Sequence, residues 1–114
     1  MDGPASGRND GAAPGPRLQY AVLVDGDNMS WRTLPRICEE VARFGDATVC
    51  RIFGDFSGPL LAGWVNVARE LGFSLVHSPR STNGKSSTDP ALIIGGMDIL
   101  YTNTAIDGLV LVSS

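Results

Sequence analysis

Apolar residues gather into four short runs separated by amphipathic or polar stretches. The runs cover residues 20–24, 47–53, 73–78 and 108–114. Short apolar runs bounded by turn residues predict buried β-strands. Apolar residues at helical spacing predict helices that begin near Thr33, Ser57 and Asp89 and end near Phe44, Gly72 and Tyr101. Strands that alternate with helices predict an α/β fold with a parallel sheet and helices on both faces.

The first part of the chain has a different character. Residues 1–19 are rich in Gly, Pro and Ala and show no period, which predicts a disordered leader. The domain is expected to cover residues 20–114. Its fourth strand ends with the sequence itself, at Ser114. We therefore expect the domain to be incomplete at its C-terminus and to lack its last elements.

Composition narrows the class of protein. The chain has 114 residues, 43% of them hydrophobic, and a formal net charge of −3, which suits one small domain. Neither a membrane-spanning apolar run nor a secretory signal is present, so a cytoplasmic protein is expected. Cys38 and Cys50 lack CxxC spacing and are expected to be buried reduced thiols. The acidic balance disfavours a generic polyanion binder, although carboxylates that hold a metal would also lower the net charge.

Polar residues follow the predicted strands. In a parallel sheet the ligand crevice lies beyond the carboxyl ends of the strands. The residues expected at this edge are Asp25, Asp27, Asn28, Asp55, Asp89 and Ser113. Several carboxylates on one rim are suited to Mg²⁺ or Mn²⁺. Turns and helix starts also favour Asp and Asn, most clearly at Asp55, so a structural role stays open there.

Other chemistries find less support. No GxxxxGK[ST] or GxGxxG motif is present, which disfavours nucleotide cofactors. His77 is the sole histidine and has no triad spacing around it, so a packed or surface role is expected. A polar loop over residues 79–88 carries Arg80 and Lys85.

Four segments in this order carry a family resemblance: VLVDGDNMS, RIFGDFS, GKSSTDPALIIGGMDILY and DGLVLVSS. Together they resemble the NYN domain family, a branch of the PIN-like nuclease superfamily, over residues 20–114. The resemblance implies a Rossmann-like three-layer sandwich. It also implies cleavage of RNA phosphodiesters with Mg²⁺ or Mn²⁺.

The resemblance also implies residue roles. Asp25 matches the metal carboxylate of the first strand, and Asn28 matches the polar residue that supports it. Asp89 matches the acidic residue that opens the helix after the polar loop. Asp27 lies where the family often has a further acidic residue and is included among the metal ligands. The expected catalytic residues are therefore Asp25, Asn28 and Asp89.

RNA is the expected substrate, and Arg80, Lys85 and Ser113 are the expected contacts to it. Two departures from the family pattern weaken the nuclease interpretation. The family usually continues the fourth strand into Ser-Ser-Asp-Ser-Asp-Phe, and many relatives carry an Asp at the position of Gly95. These departures predict impaired turnover.

Alternative functions stay open at this point. One is a non-catalytic RNA-binding or regulatory module. Another is a phosphoryl-transfer hydrolase with Asp25 as nucleophile and Asp27 as acid, although the lysine motif such an enzyme needs is missing. The sequence also leaves open whether the chain forms a homo-oligomer.

Overall fold

A computed structural model describes residues 17–78 and 88–113. Most of the predicted leader over residues 1–19, and the loop that carries Arg80 and Lys85, therefore lie outside the described residues. The strands are β1 (Leu18–Asp25), β2 (Gly45–Gly54), β3 (Ser74–His77) and β4 (Gly108–Val112). The helices are α1 (Leu34–Ala42), α2 (Leu60–Leu71) and α3 (Thr88–Thr102), and a short 3-10 turn (Trp31–Thr33) precedes α1.

The described strands form one parallel sheet in the order β3-β2-β1-β4. The central strand β1 pairs with β2 on one side and with β4 on the other, so that Tyr20 lies between Ala47 and Gly108. Helices α1 and α2 pack on one face, and α3 packs on the other. The predicted α/β fold with a parallel sheet and helices on both faces is confirmed.

Successive side chains of β1 point to opposite faces of the sheet and contribute to two hydrophobic cores. Val22 and Val24 face the core that α1 and α2 cover, together with Trp64 of α2. Ala21 and Leu23 face the core that α3 covers. Each face of β1 is therefore buried, which explains why this strand reads as a continuous apolar run.

Three details of the predicted helices α1 and α2 differ in the structure. Thr33 makes no side-chain cap for α1, because its hydroxyl donates to a preceding carbonyl oxygen. Ser57 does not cap α2, which begins at Leu60, because the Ser57 side chain bonds Asp55 instead. Phe44 lies outside α1 and is 68% exposed, although it continues the helical spacing.

Two adjacent glycines, Gly95 and Gly96, lie within α3, and the helix runs through both without a break. A Cβ atom at Gly95 would lie 3.0 Å from the Phe53 ring, and one at Gly96 would lie 2.8 Å from Leu109. The glycines therefore let α3 approach β2 and β4 closely.

The prediction of a buried fourth strand was wrong in part. β4 is an edge strand, and its residues are half-buried or exposed. The apolar run identified a strand but could not show that only one of its edges is paired by the described residues.

The two thiols are free but only partly buried, so the expectation of full burial was wrong. Burial raises the pKa of both Cys38 and Cys50, and Cys38 raises that of Cys50 further. Within the described residues, no helix is long and apolar enough to cross a membrane.

Candidate metal centre

The carboxyl ends of the strands meet at one edge of the sheet. β1 ends at Asp25, β2 at Gly54 and β3 at His77, and Ser113 directly follows β4. Register places Asp25 beside Phe53, and Gly54 beside His77. This edge is where parallel α/β sheets place their ligands.

Asp25 is the one charged residue that is fully buried among the described residues. Its Oδ2 accepts hydrogen bonds from Asn28 Nδ2 at 2.7 Å and from Ser113 Oγ at 3.3 Å. Its Oδ1 accepts a longer bond, 3.3 Å, from the backbone N–H of Asp27. All three donors are neutral, and no described side chain forms an ion pair with this carboxylate.

Asn28 and Ser113 approach Asp25 from opposite ends of the sequence. The turn that follows β1 places Asn28 three positions after Asp25, and its backbone N–H donates to the Asp25 carbonyl oxygen at 3.3 Å. Ser113 reaches the same carboxylate only because β4 pairs beside β1. The two side chains therefore fix the orientation of one oxygen, Oδ2.

The turn after β1 is anchored through Gly26. Its N–H donates to the Phe53 carbonyl oxygen at 2.7 Å, and its carbonyl oxygen accepts from Trp64 Nε1 at 3.2 Å. A Cβ atom at Gly26 would lie 2.9 Å from the Ile52 side chain and 3.0 Å from the Phe53 carbonyl oxygen. A glycine is required here because β2 passes this close.

Asp27 links the turns that follow β1 and β2. Its Oδ1 accepts a hydrogen bond from the backbone N–H of Asp55 at 2.9 Å. This hydrogen bond is possible because Gly54 has no side chain: a Cβ atom at Gly54 would lie 3.1 Å from Asp27 Oδ1. Asp27 thus holds two strand ends in register at the rim.

Asp55 and His77 shape the rim on the β2 side. Asp55 Oδ1 accepts bonds from the backbone N–H and the hydroxyl of Ser57, at 3.1 and 2.5 Å. His77 is exposed, and its Nδ1 accepts from the Phe56 N–H at 3.2 Å. The ring therefore carries its own proton on Nε2 when neutral.

The structure brings Asp25, Asp27, Asn28 and Ser113 together. Asp89 lies in the first turn of α3, but its side chain falls outside what the structure describes. Among the described side chains, no group of three or more His, Cys, Asp or Glu residues could hold a metal ion.

The donors that do converge are carboxylate, amide and hydroxyl groups, the chemistry that Mg²⁺ and Mn²⁺ prefer. A buried carboxylate with only neutral partners is costly, and a cation would offset that cost. The types of donor present therefore suit a hard divalent ion, but the described side chains do not by themselves complete a site for one.

Sequence reasoning missed two contributors to this edge. Trp64 packs in the core under α2, and its ring N–H also donates a hydrogen bond to the Gly26 carbonyl oxygen. Ser113 was expected as a substrate contact, yet its hydroxyl bonds Asp25. The sequence signal for the first contact is the tryptophan itself, because a buried indole N–H needs a hydrogen-bond acceptor, but the sequence does not show which one.

A parallel sheet in the order β3-β2-β1-β4, with helices on both faces, is consistent with a PIN-like, Rossmann-like fold. The NYN domain model matches residues 19–114, most of the chain. The chain therefore belongs to the NYN domain family, within the PIN-like superfamily. No curated protein and no solved structure matches it significantly.

Membership of the family brings general expectations. PIN-like nucleases generally depend on divalent metal ions, and NYN domains typically act on RNA. What this particular chain does depends on its own residues.

Proposed function

We propose that this domain is a metal-dependent ribonuclease that hydrolyses RNA phosphodiesters with Mg²⁺ or Mn²⁺. The observation that carries the proposal is Asp25, a fully buried carboxylate at the end of the central strand, whose hydrogen-bond donors among the described residues are all neutral.

The electrostatics of Asp25 support a cation. Neutral hydrogen bonds replace only part of the hydration that a carboxylate loses on burial, and the remaining cost is several kcal/mol. A buried charge with such an energetic cost is most easily explained where the charged group binds a ligand of opposite charge. A divalent ion is the ligand whose charge and hardness suit a carboxylate flanked by amide and hydroxyl groups.

The residues of the centre are proposed to have two roles, metal binding and orientation of Asp25. Asp25 and Asp27 would hold the ion together with Asp89. Asn28 and Ser113 keep Asp25 Oδ2 in one orientation through their hydrogen bonds. A divalent ion held by these residues would supply the activation of an attacking water and the stabilisation of negative charge at the phosphate.

Substrate binding is assigned to the loop between β3 and α3. Arg80 and Lys85 would contact RNA phosphates, because cations that position a nucleic acid usually bind its backbone. Such contacts carry no base specificity, so we expect cleavage of varied single-stranded RNAs.

Cleavage of a fluorescent single-stranded RNA with Mn²⁺ or Mg²⁺ tests the proposal. Asp25→Asn removes the charge and keeps the shape, and we expect it to abolish cleavage. Asp98→Asn is the matched control, because Asp98 is exposed on α3 and makes the same change in net charge. Cleavage that persists in Asp25→Asn, or its loss in both variants, would contradict the proposal.

Metal binding has its own readout. The ion should raise the melting temperature of the wild type and of Asp98→Asn but not that of Asp25→Asn, since a ligand at 100 times its Kd stabilises by about 2.7 kcal/mol. An equal shift in all three proteins would mean that the ion binds elsewhere.

A second function is favoured by one observation, the lack of a group of three metal-binding side chains among the described residues. It is a non-catalytic RNA-binding module. RNA binding that needs no metal, with no cleavage in either ion, would establish it in place of the nuclease.

A further inference from the structure

The 3-10 turn between β1 and α1 is held in place by Ser30. The Ser30 hydroxyl accepts a hydrogen bond from the backbone N–H of Arg32 at 3.2 Å. Its carbonyl oxygen accepts from the backbone N–H of Thr33 at 3.0 Å and from the Thr33 hydroxyl at 2.7 Å. None of the residues Trp31–Thr33 is buried. The turn therefore presents Trp31 and Arg32 at the surface on a backbone that is fixed by hydrogen bonds.

The ring of Trp31 packs directly on Gly63 of α2. A Cβ atom at Gly63 would lie 2.7 Å from Trp31 Cε2 and closer still to Nε1, so only glycine fits beneath the ring. The next residue of α2, Trp64, donates its ring N–H to the Gly26 carbonyl oxygen. Neighbouring residues of α2 thus contact Trp31 and the turn that follows β1. This places Trp31 at the same edge of the sheet as the candidate metal centre, on the α2 side.

Arg32 lies over the exposed side of this arrangement. Its guanidinium carbon is 4.4 Å from the centroid of the Trp31 ring, a cation–π contact. Arg32 is exposed, and among the described residues its side chain donates no hydrogen bond and pairs with no carboxylate. By contrast, Arg17 and Arg43 each form an ion pair. The indole ring therefore orients the Arg32 guanidinium while its N–H donors stay available for a ligand.

The chemistry of this pair suits a phosphate group. A guanidinium carries a permanent charge and a planar set of donors that matches two phosphate oxygens at once. The chain as a whole has a net charge of −3, and Asp25 and Asp27 lie at this edge, so the edge repels a polyanion unless a cation offsets those charges. The first turn of α2, beside Trp31, carries no acidic residue that would add to the repulsion.

We propose that Arg32, positioned by Trp31, binds a backbone phosphate of the RNA that reaches the candidate metal centre. The inference rests on the proposed function in one respect, that the ligand is RNA. It adds a phosphate contact on the α2 side of the centre, separate from the loop that carries Arg80 and Lys85. A contact to phosphate positions a nucleic acid without reading its bases, so Arg32 contributes equally to RNAs of different sequence.

Binding of a fluorescent single-stranded RNA to the full chain, measured by anisotropy in EDTA over a series of NaCl concentrations, tests the proposal. EDTA removes divalent ions, so the measurement does not depend on cleavage. We expect Arg32→Gln to weaken binding at least about threefold and to lower the slope of log K against log salt by about 0.7, the value for one phosphate contact to a single strand. Arg69→Gln is the matched control. Arg69 is exposed in the last turn of α2, at the opposite end of the helix, and its replacement makes the same change in net charge.

Trp31→Leu tests whether the indole ring positions Arg32. This variant keeps the charge of Arg32 and so should keep the salt slope of the wild type. Its affinity should fall about two- to fivefold, the factor to which a cation–π contact at an exposed site corresponds. Arg32→Lys should likewise keep the slope, but it should bind more weakly than the wild type because an ammonium lacks the planar donor set. Circular dichroism checks that each variant folds.

Three results would overturn the proposal: a wild type that binds no RNA, wild-type affinity and slope in Arg32→Gln, or an equal loss in Arg69→Gln. Wild-type affinity in Trp31→Leu would overturn the role of the ring. The outcome is separate from that of the nuclease assay. RNA binding that depends on Arg32 supports the assignment even in a protein that cleaves nothing. Cleavage by a protein whose RNA binding ignores Arg32→Gln overturns this assignment and leaves the nuclease in place.

Discussion

Replacing Trp64 with Phe would separate the hydrogen bond beneath the candidate metal centre from simple packing. Trp64 is fully buried, and its Nε1 donates to the Gly26 carbonyl oxygen at 3.2 Å. No other donor among the described residues reaches this oxygen. Phe keeps most of the ring volume but leaves the buried carbonyl without a partner.

Two losses add in this variant. An unsatisfied buried carbonyl costs about 1–3 kcal/mol. The smaller ring leaves a cavity that costs about 1 kcal/mol more. We therefore expect the free energy of unfolding to fall by about 2–4 kcal/mol, a large share of the total stability of a domain of this size.

Urea unfolding followed by far-UV circular dichroism measures the effect. With a slope of about 1.5 kcal/mol per molar, the midpoint should fall by about 1.3–2.7 M. Trp31→Phe is the matched control. Trp31 is only partly buried, and its ring N–H donates to no described residue, so we expect a loss of about 1 kcal/mol. The reasoning fails if the two variants differ by less than about 0.5 kcal/mol.

Two further changes test other parts of the structure. Gly26→Ala should destabilise the domain by about 1–3 kcal/mol in the same urea assay, because its Cβ would lie 3.0 Å from the Phe53 carbonyl oxygen. Gly58→Ala, where a Cβ meets open space, should stay within about 0.5 kcal/mol of the wild type. The hydrogen bond from Arg17 lowers the pKa of Asp46, so Arg17→Gln should raise that pKa in an NMR titration. The pKa of Asp46 is lower in the folded than in the unfolded protein, so the stability from this contact is present above pH 3.8 and is lost as the pH falls further. The difference in stability between the wild type and Arg17→Gln should therefore shrink below that pH.

The sequence was sufficient to predict the architecture because the strands and helices each produce a local pattern of apolar and polar residues. The run from Tyr20 to Val24 is apolar throughout because β1 is buried on both faces, and the turn residues after it mark where the strand ends. The same patterns misled where exposure depends on neighbours. Phe44 continues the spacing of α1 yet lies outside it. The sequence of β4 predicts a buried strand, although the described residues pair with only one of its edges.

The candidate site was also predicted only in part from the sequence. Asp25 and Asn28 could be identified together because the turn that joins them is local. The hydrogen-bond partners of this turn could not be identified from the sequence. Trp64 is 38 positions from Gly26, and Ser113 is 88 positions from Asp25. Contacts over such distances depend on strand order, and no local pattern carries that order.

The separation between Asp25 and Ser113 has a consequence for how the domain folds during synthesis. β1 leaves the ribosome first among the described strands, but β4, which covers one of its edges, follows 88 positions later. At a synthesis rate of 5–20 residues per second, the central strand waits roughly 4–18 s for that neighbour. Closing so long a loop is slow and costs entropy before any contact repays it. Completion of the Asp25 hydrogen-bond network is therefore among the last folding events, and the centre cannot take its final form while the sheet is still being assembled.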